Sequence, residues 1–191
     1  MIHRELNHLV SQRAYSLIEA MITVALLTII IAISAPSFAV LIKKNELTTL
    51  SNTIIGSLYF ARSHAIAHQK NVHICQLSLN LSTTCARDYN YNRDWSNGWL
   101  IFTDTNRDNE FDENDDLLRK VTLNTSTSII FNQRGRLRFF PDGSARSAGY
   151  YLCSSNLDEV RHVYLLHTGR ARVNQSLTRK QLQICARRFE S

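Results

Sequence analysis

The chain has 191 residues, 44% hydrophobic and 20% charged, with a net charge of +6 and four cysteines. That composition is too apolar for a disordered polyelectrolyte and long enough for one domain with a real core beside an anchoring segment. The charge is uneven: Arg161, Arg170, Arg172, Arg179, Lys180, Arg187 and Arg188, opposed only by Glu190, account for all of it, so the basic character belongs to residues 161–191.

Residues 1–14 form a short polar leader carrying Arg4 and Arg13 and ending at Ala14. Tyr15-Ser16-Leu17-Ile18-Glu19 follows, and then an uncharged run of 23 residues from Ala20 to Ile42. About 20 apolar residues suffice for one membrane helix, so residues 15–42 are expected to span a membrane once. A secretory signal places its small-residue cleavage site after the apolar core. Here the small residue comes first, and cutting after Ala14 keeps the core. The pattern resembles the type IV prepilin signal. That resemblance implies cleavage between Ala14 and Tyr15 by a prepilin peptidase, methylation of the new N-terminus, and pairing of Glu19 with the N-terminal amine of a neighbouring subunit during assembly. It also makes Pro36 the hallmark proline of the pilin helix. Read alone, Glu19 is equally a helix-end carboxylate snorkelling to the headgroups, although an ionisable group at a membrane centre costs about 2.5–3.5 kcal/mol. Pro36 removes one helical hydrogen bond and loosens the helix there, or is a tolerated membrane proline.

Beyond the membrane, Leu47, Leu50, Ile54, Leu58, Ala61 and Ala65 recur at spacings of three and four, so residues 43–71 are expected to continue the helix with one apolar stripe. Residues 72–191 then read as a β-rich head. Strands are expected at Val72–Leu77, Trp99–Thr103, Leu117–Leu123, Ile129–Phe131, Leu137–Phe140, Tyr150–Cys153, Val160–His167, Ala171–Asn174 and Gln181–Cys185. Gly98, Pro141-Asp142-Gly143 and Thr168-Gly169 mark turns, and Ser78–Asn97 reads as an irregular loop. The fold class is α+β: a long N-terminal helix packed on an antiparallel head.

Cys75, Cys85, Cys153 and Cys185 lie in the part that the membrane segment delivers outside the cytoplasm, where an even count argues for disulfides. Three pairings are open; Cys75–Cys85 and Cys153–Cys185 are favoured, the second pinning the tail to the body. A zinc site lacks paired C-x-x-C knuckles and a nearby His pair.

Ala61-Arg62-Ser63-His64-Ala65 with Val72-His73-Ile74-Cys75, then Gly98-Trp99-Leu100-Ile101-Phe102-Thr103-Asp104, Leu117-Leu118, Phe131 with Gly135, Tyr151-Leu152-Cys153, and Gly169-Arg170-Ala171-Arg172 stand in one order along the chain. This ordered set resembles GspH/FimT-type minor pilins and pseudopilins, and implies a type IV pilin-like fold with other major and minor pilins as partners.

Asp104-x-Asn106-x-Asp108-Asn109-x-x-Asp112-x-x-Asp115 spaces oxygen donors as a calcium loop does, with Asp115 at the twelfth position. Asn109 stands where a turn glycine is usual, Asp115 is shorter than glutamate, and strands flank the segment, so it reads as a solvated acidic turn with no metal assigned. No cofactor is expected, and no enzyme: there is no Gly-rich phosphate loop after a strand, no nucleophile elbow, and His64 and His68 lack the glutamate of a zinc helix.

Arg170 and Arg172 are two apart after Thr168-Gly169, so in a strand both guanidiniums project to one face. Their planar forks suit phosphate, and a basic segment attracts nucleic acid by counterion release. In FimT-type minor pilins the Gly-Arg-x-Arg pattern is associated with DNA capture in natural transformation. The resemblance therefore implies a DNA-backbone partner held by Arg170 and Arg172, with Arg179, Lys180, Arg187 and Arg188 in support. Gly135-Arg136-Leu137-Arg138 repeats the spacing and would add a second contact. Arg62, on the helix in the neutral part, is expected to be independent of this site. The competing readings are arginines that only protect a sheet edge in an assembly-initiating tip subunit of the FimU type, and a type II secretion pseudopilin of the GspH type. The expected location is the inner membrane with the head in the periplasm, then a pilus at the cell surface.

Overall fold

The computed structural model describes residues 16–78, 83–86, 93–154, 159–175 and 177–189. The chain divides into two compact units, Met1–Ile42 and Lys43–Ser191. Helix α1 (Leu17–His68) contributes to both.

In the first unit α1 starts where the Ser16 carbonyl accepts from the Glu19 and Ala20 N–H groups, and Glu19 sits in the first turn, favourable to the helix dipole. The apolar side chains that follow, Met21, Ile22, Leu26 and Ile30 among them, are exposed, and the segment is long and apolar enough to cross a membrane. The helix assignment runs through position 36 without a break. Ala14 and Tyr15, and the side chain of Pro36, lie outside the described residues.

In the second unit the remainder of α1 buries the whole expected stripe: Leu47, Leu50, Ile54, Leu58, Ala61 and Ala65. Gln69 closes the helix in the left-handed region (φ 53°), a role usually filled by glycine or asparagine, and its side-chain amide donates to the Ile66 carbonyl at 2.8 Å. Eight strands follow: β1 (Val72–Gln76), β2 (Gly98–Thr103), β3 (Asp116–Thr122), β4 (Ser128–Phe131), β5 (Leu137–Phe139), β6 (Ala148–Cys153), β7 (Val160–Leu165) and β8 (Ala171–Asn174). They form two antiparallel four-stranded sheets, ordered β3-β2-β1-β5 and β4-β6-β7-β8.

One core joins them. Val72, Ile74, Trp99, Ile101, Leu137 and Phe139 from the first sheet and Ile129, Phe131, Tyr150, Leu152, Val163 and Leu165 from the second meet the α1 stripe. The Trp99 indole N–H donates to the Ser57 hydroxyl at 3.0 Å inside this core, so the aromatic is buried with its donor satisfied. Glu46 accepts from Lys43, Thr125 and Thr127, tying the segment before β4 to the helix. Within Ser78–Asn97, expected to be an irregular loop, Trp95 is buried beside Phe131 and Tyr150, and its backbone N–H donates to the Ile129 carbonyl at 2.7 Å.

The outer face of each sheet is also covered. Phe111 and Cys85 pack over Leu100, Phe102 and Cys75 of the first sheet, where Cys75–Cys85 is bonded. Cys153–Cys185 holds a second helix, α2 (Arg179–Phe189), against Tyr151 and Val160 of the second sheet.

Gln181–Cys185 is therefore helix, not strand. Leu182 and Ile184 alternate with Gln181 and Gln183 and mimic a period of two, but Thr178 and Gln181 have capping-box spacing. The Gln181 side-chain oxygen accepts from the Thr178 N–H at 2.9 Å, and the Thr178 carbonyl accepts from Leu182 at 3.0 Å.

The Cys153–Cys185 bond closes a separation of 32 residues. In the chain-entropy description such a loop stabilises by about 3–4 kcal/mol. Replacing both cysteines by serine should lower the midpoint of chemical unfolding accordingly, and non-reducing peptide mapping should recover Cys153 joined to Cys185. Recovery of Cys75 joined to Cys153 would refute the pairing.

Candidate nucleic-acid interface

Gly169-Arg170-Ala171-Arg172 lies at the hairpin between β7 and β8. The Gly169 N–H donates to the Leu166 carbonyl and the Leu166 N–H to the Arg170 carbonyl, both at 2.9 Å, which is the pattern of a type I turn closed by a left-handed glycine. Gly169 takes that conformation (φ 75°), and a Cβ there would stand 2.0 Å from the Gly143 carbonyl oxygen. Arg170 thus precedes β8 and Arg172 lies within it. Ala171 between them belongs to the shared core while both arginines are exposed, so both point to the outer face of the second sheet.

That outer face has a defined surface. Arg172 pairs across the ladder with Tyr164. A row of rings continues inward, with His162 and Tyr164 centroids 5.6 Å apart and His162 stacked on Tyr151 at 4.3 Å. Burial holds His162 below the ordinary histidine range, so this row carries no charge of its own at neutral pH. Helix α2 covers the same face, and the Gln181 amide lies 3.4 Å from His162 Nδ1. Arg179 and Lys180, at the start of α2, are exposed. Arg170, Arg172, Arg179 and Lys180 are thus carried on one side of one sheet. Among the described residues none of the four forms an ion pair with a carboxylate. The side chains of Arg187 and Arg188 lie outside the described residues.

The second Gly-Arg-x-Arg behaves differently. Arg136 and Arg138 belong to the β5 side of the first sheet, not to this face. Arg136 pairs with Glu110 at 3.4 Å and is largely buried, while Arg138 donates to Asn109 Oδ1 at 3.2 Å and stacks over Phe140. The 104–115 loop holds both.

Arg62 is not independent of the basic hairpin. Its Nε donates to the Gly143 carbonyl at 3.0 Å, and a Cβ on Gly169 would lie 2.7 Å from that nitrogen. The Ala145 N–H donates to the His167 carbonyl at 3.0 Å, so the turns at 141–144 and 166–169 are fastened to each other and to α1. Arg62 was legible only as a helix arginine; nothing local in the sequence marks a partner 81 residues away.

A second polar cluster lies at the opposite sheet. The Asp104 side chain is 1% exposed, and His73 Nε2 lies 3.3 Å from its Oδ2. Burial pushes His73 down to about 4, against the pull of Asp104, so at neutral pH the ring is neutral and does not balance the carboxylate. Burial likewise holds Asp115 above the usual carboxylate range.

The family model described as type II transport protein GspH matches residues 50–169, and that described as the prokaryotic N-terminal methylation motif matches residues 10–35. Two crystal structures of the type IV minor pilin FimU from Pseudomonas aeruginosa are similar at 17% identity. Their TM-scores are 0.48 and 0.49, over 66% and 69% of this chain and 91% and 90% of theirs. No curated protein matches.

Gly169→Ala should destabilise the protein by at least about 1 kcal/mol, since alanine meets both the left-handed penalty and the Gly143 carbonyl. Arg62→Ala should cost about 1 kcal/mol by removing the hydrogen bond to that carbonyl. Thermal unfolding checks both. A Gly169→Ala protein as stable as the parent would show that the turn is not held as described.

Proposed function

The chain belongs to the GspH family, a family of structural pilins and pseudopilins of type IV pili and type II secretion rather than enzymes, and from that premise we propose that it is a minor pilin whose head captures DNA by its phosphate backbone for uptake in natural transformation. The observation that carries this reading is the exposed group Arg170, Arg172, Arg179 and Lys180 on one side of the second sheet, unpaired with carboxylates among the described residues. Each guanidinium offers a planar fork to phosphate oxygens, and the surrounding excess of positive charge releases counterions on binding. Arg187 and Arg188 add charge through α2. Arg136 and Arg138, occupied by Glu110 and Asn109, contribute little.

In the same reading the leader is removed after Ala14 by a prepilin peptidase and the protein rests in the inner membrane by its first helix, with the head in the periplasm. Glu19 then docks against the amine of a neighbouring pilin, and the subunit enters a pilus. Pro36 loosens the helix within its apolar segment by removing one hydrogen bond. Processing is tested by intact mass. Protein extracted from membranes should begin at Tyr15 and carry one methyl group; retention of Met1, or cleavage beyond Pro36, would remove the basis for pilus assembly.

DNA binding is tested with detergent-solubilised mature protein and a short labelled duplex titrated across a salt series. Arg170→Ala with Arg172→Ala should weaken binding for every duplex sequence, because phosphate contacts carry no base information. It should also flatten the logarithmic salt dependence by about two if each arginine neutralises one phosphate. Arg119→Ala is the appropriate control, since Arg119 lies in β3 over the Phe60 ring; Arg62 supports the hairpin and cannot serve. Unchanged binding in the double variant, or none at low salt, would favour the structural tip subunit, in which the two arginines only guard an edge.

A further inference from the structure

The connection from β2 to β3 is unusual for a surface loop because it buries a carboxylate. Asp104 follows β2 directly, its side chain is 1% exposed, and its Oδ1 has no hydrogen-bond partner among the described residues. Its other oxygen accepts from the Asn109 N–H at 3.2 Å. His73 Nε2 also lies 3.3 Å from that second oxygen, so Oδ1 alone is left unsatisfied. A solvated acidic turn has no reason to withdraw such an acceptor from water, since a buried polar atom without a hydrogen bond costs about 1–3 kcal/mol.

The Asp104 carboxylate stands close to two others. One carboxylate oxygen from each of Asp104, Asp108 and Asp115 lies within 4.8 Å of the others. Oxygens bound to a single Ca²⁺ at about 2.3–2.6 Å stand no more than about 5 Å apart, so these three fit one ion. We infer that residues 104–115 form a Ca²⁺ site, with Asp104, Asp108 and Asp115 as carboxylate ligands and Asn106 and Asp112 completing the oxygen set.

The loop's shape agrees. Counting Asp104 as the first position, the sixth is Asn109, whose φ of 63° supplies the left-handed bend for which such loops usually use glycine. Asparagine is among the few residues that enter that region readily. Asp115 stands twelfth, and its two oxygens already accept from the Thr105 and Asp112 N–H groups, at 2.9 and 3.3 Å, drawing the loop's ends together. The Asn106 side chain donates to Asp108 at 2.9 Å and to Asp112 at 3.3 Å, so these groups are gathered rather than splayed. A donor set of hard oxygens with several carboxylates on one twelve-residue loop suits Ca²⁺, which takes about six to eight oxygens in flexible geometry, better than Mg²⁺, which demands a near-ideal octahedron. The ion would fix the β2–β3 connection against the first sheet, where Phe111 packs on Phe102 and where Asn109 and Glu110 hold Arg138 and Arg136. The inference does not depend on DNA binding, which belongs to the other sheet.

Detergent-solubilised full-length protein, stripped with a chelator, should bind one Ca²⁺ in a calorimetric titration, with a dissociation constant of about 0.1–1 mM, as extracellular modules do. MgCl₂ in parallel should bind more weakly. Asp104→Asn risks misfolding because the group is buried, so exposed Asp108 carries the test: Asp108→Asn should weaken Ca²⁺ at least about tenfold. Ca²⁺ should also slow tryptic cleavage after Arg107, an exposed residue within the loop. Three results would overturn the assignment: no saturable binding up to about 10 mM, Ca²⁺ affinity unchanged by Asp108→Asn, or Mg²⁺ bound as tightly as Ca²⁺.

Discussion

The head depends on one apolar stripe serving two sheets. Leu47, Leu50, Ile54, Leu58, Ala61 and Ala65 lie on a single side of α1, and residues from both four-stranded sheets close over that side. Each fully buried Leu or Ile contributes about 1.5–3 kcal/mol by leaving water, but the geometric consequence matters more. The last turns of α1 are where the chain passes from β5 of the first sheet toward β6 of the second, and Arg62 fastens that passage through the Gly143 carbonyl. The hairpin that presents Arg170 and Arg172 leans on the same point. Their placement is thus set by helix packing many residues away as well as by the turn that precedes them.

The two Gly-Arg-x-Arg segments show how far context decides the chemistry of an identical pattern. Both follow a left-handed glycine, Gly135 at φ 80° and Gly169 at φ 75°, and both put two arginines two residues apart. Arg136 and Arg138 meet an acidic loop and are absorbed by Glu110, Asn109 and the Phe140 ring. Arg172 stands across the ladder from Tyr164, and the described residues offer neither Arg170 nor Arg172 a carboxylate partner. Spacing selects a common face; the neighbouring element decides whether that face remains open.

Much of the head was legible because its elements have strong periods. The α1 stripe obeys a helical repeat over about five turns, and most strands show β-branched or aromatic runs bounded by glycine or proline. The failures have local physical causes. In Gln181–Cys185 a short alternation competed with a capping signal at Thr178 and Gln181, and in so short a segment the cap and the Cys153–Cys185 bond determine the outcome. Gly98 both closes a turn, its N–H donating to the Trp95 carbonyl at 3.0 Å, and opens β2, with a φ of 112° at which a Cβ would stand 2.0 Å from the Val121 carbonyl oxygen. Trp95 was lost among polar neighbours, since one aromatic in an irregular segment has no period to reveal it. The roles of Arg62 and Asp104 rest on long-range contacts and burial, which no local pattern encodes.

The proposed phosphate-binding role and edge protection make different physical demands on Arg170 and Arg172. β8 is an edge strand, and an edge is blunted by groups that obstruct its unpaired N–H and C=O row, for which lysine is especially common. Side chains that stand roughly perpendicular to the sheet do little to cover that row, because the row lies in the sheet's own plane. Arg170 and Arg172 stand on the outer face, beside the ring row of Tyr164 and His162 and on the side occupied by α2. That direction suits a ligand approaching the face, and the planar fork of arginine suits a phosphate better than it suits steric obstruction. In the proposed reading, what counts is the face the two arginines share rather than how many charges the tail contains.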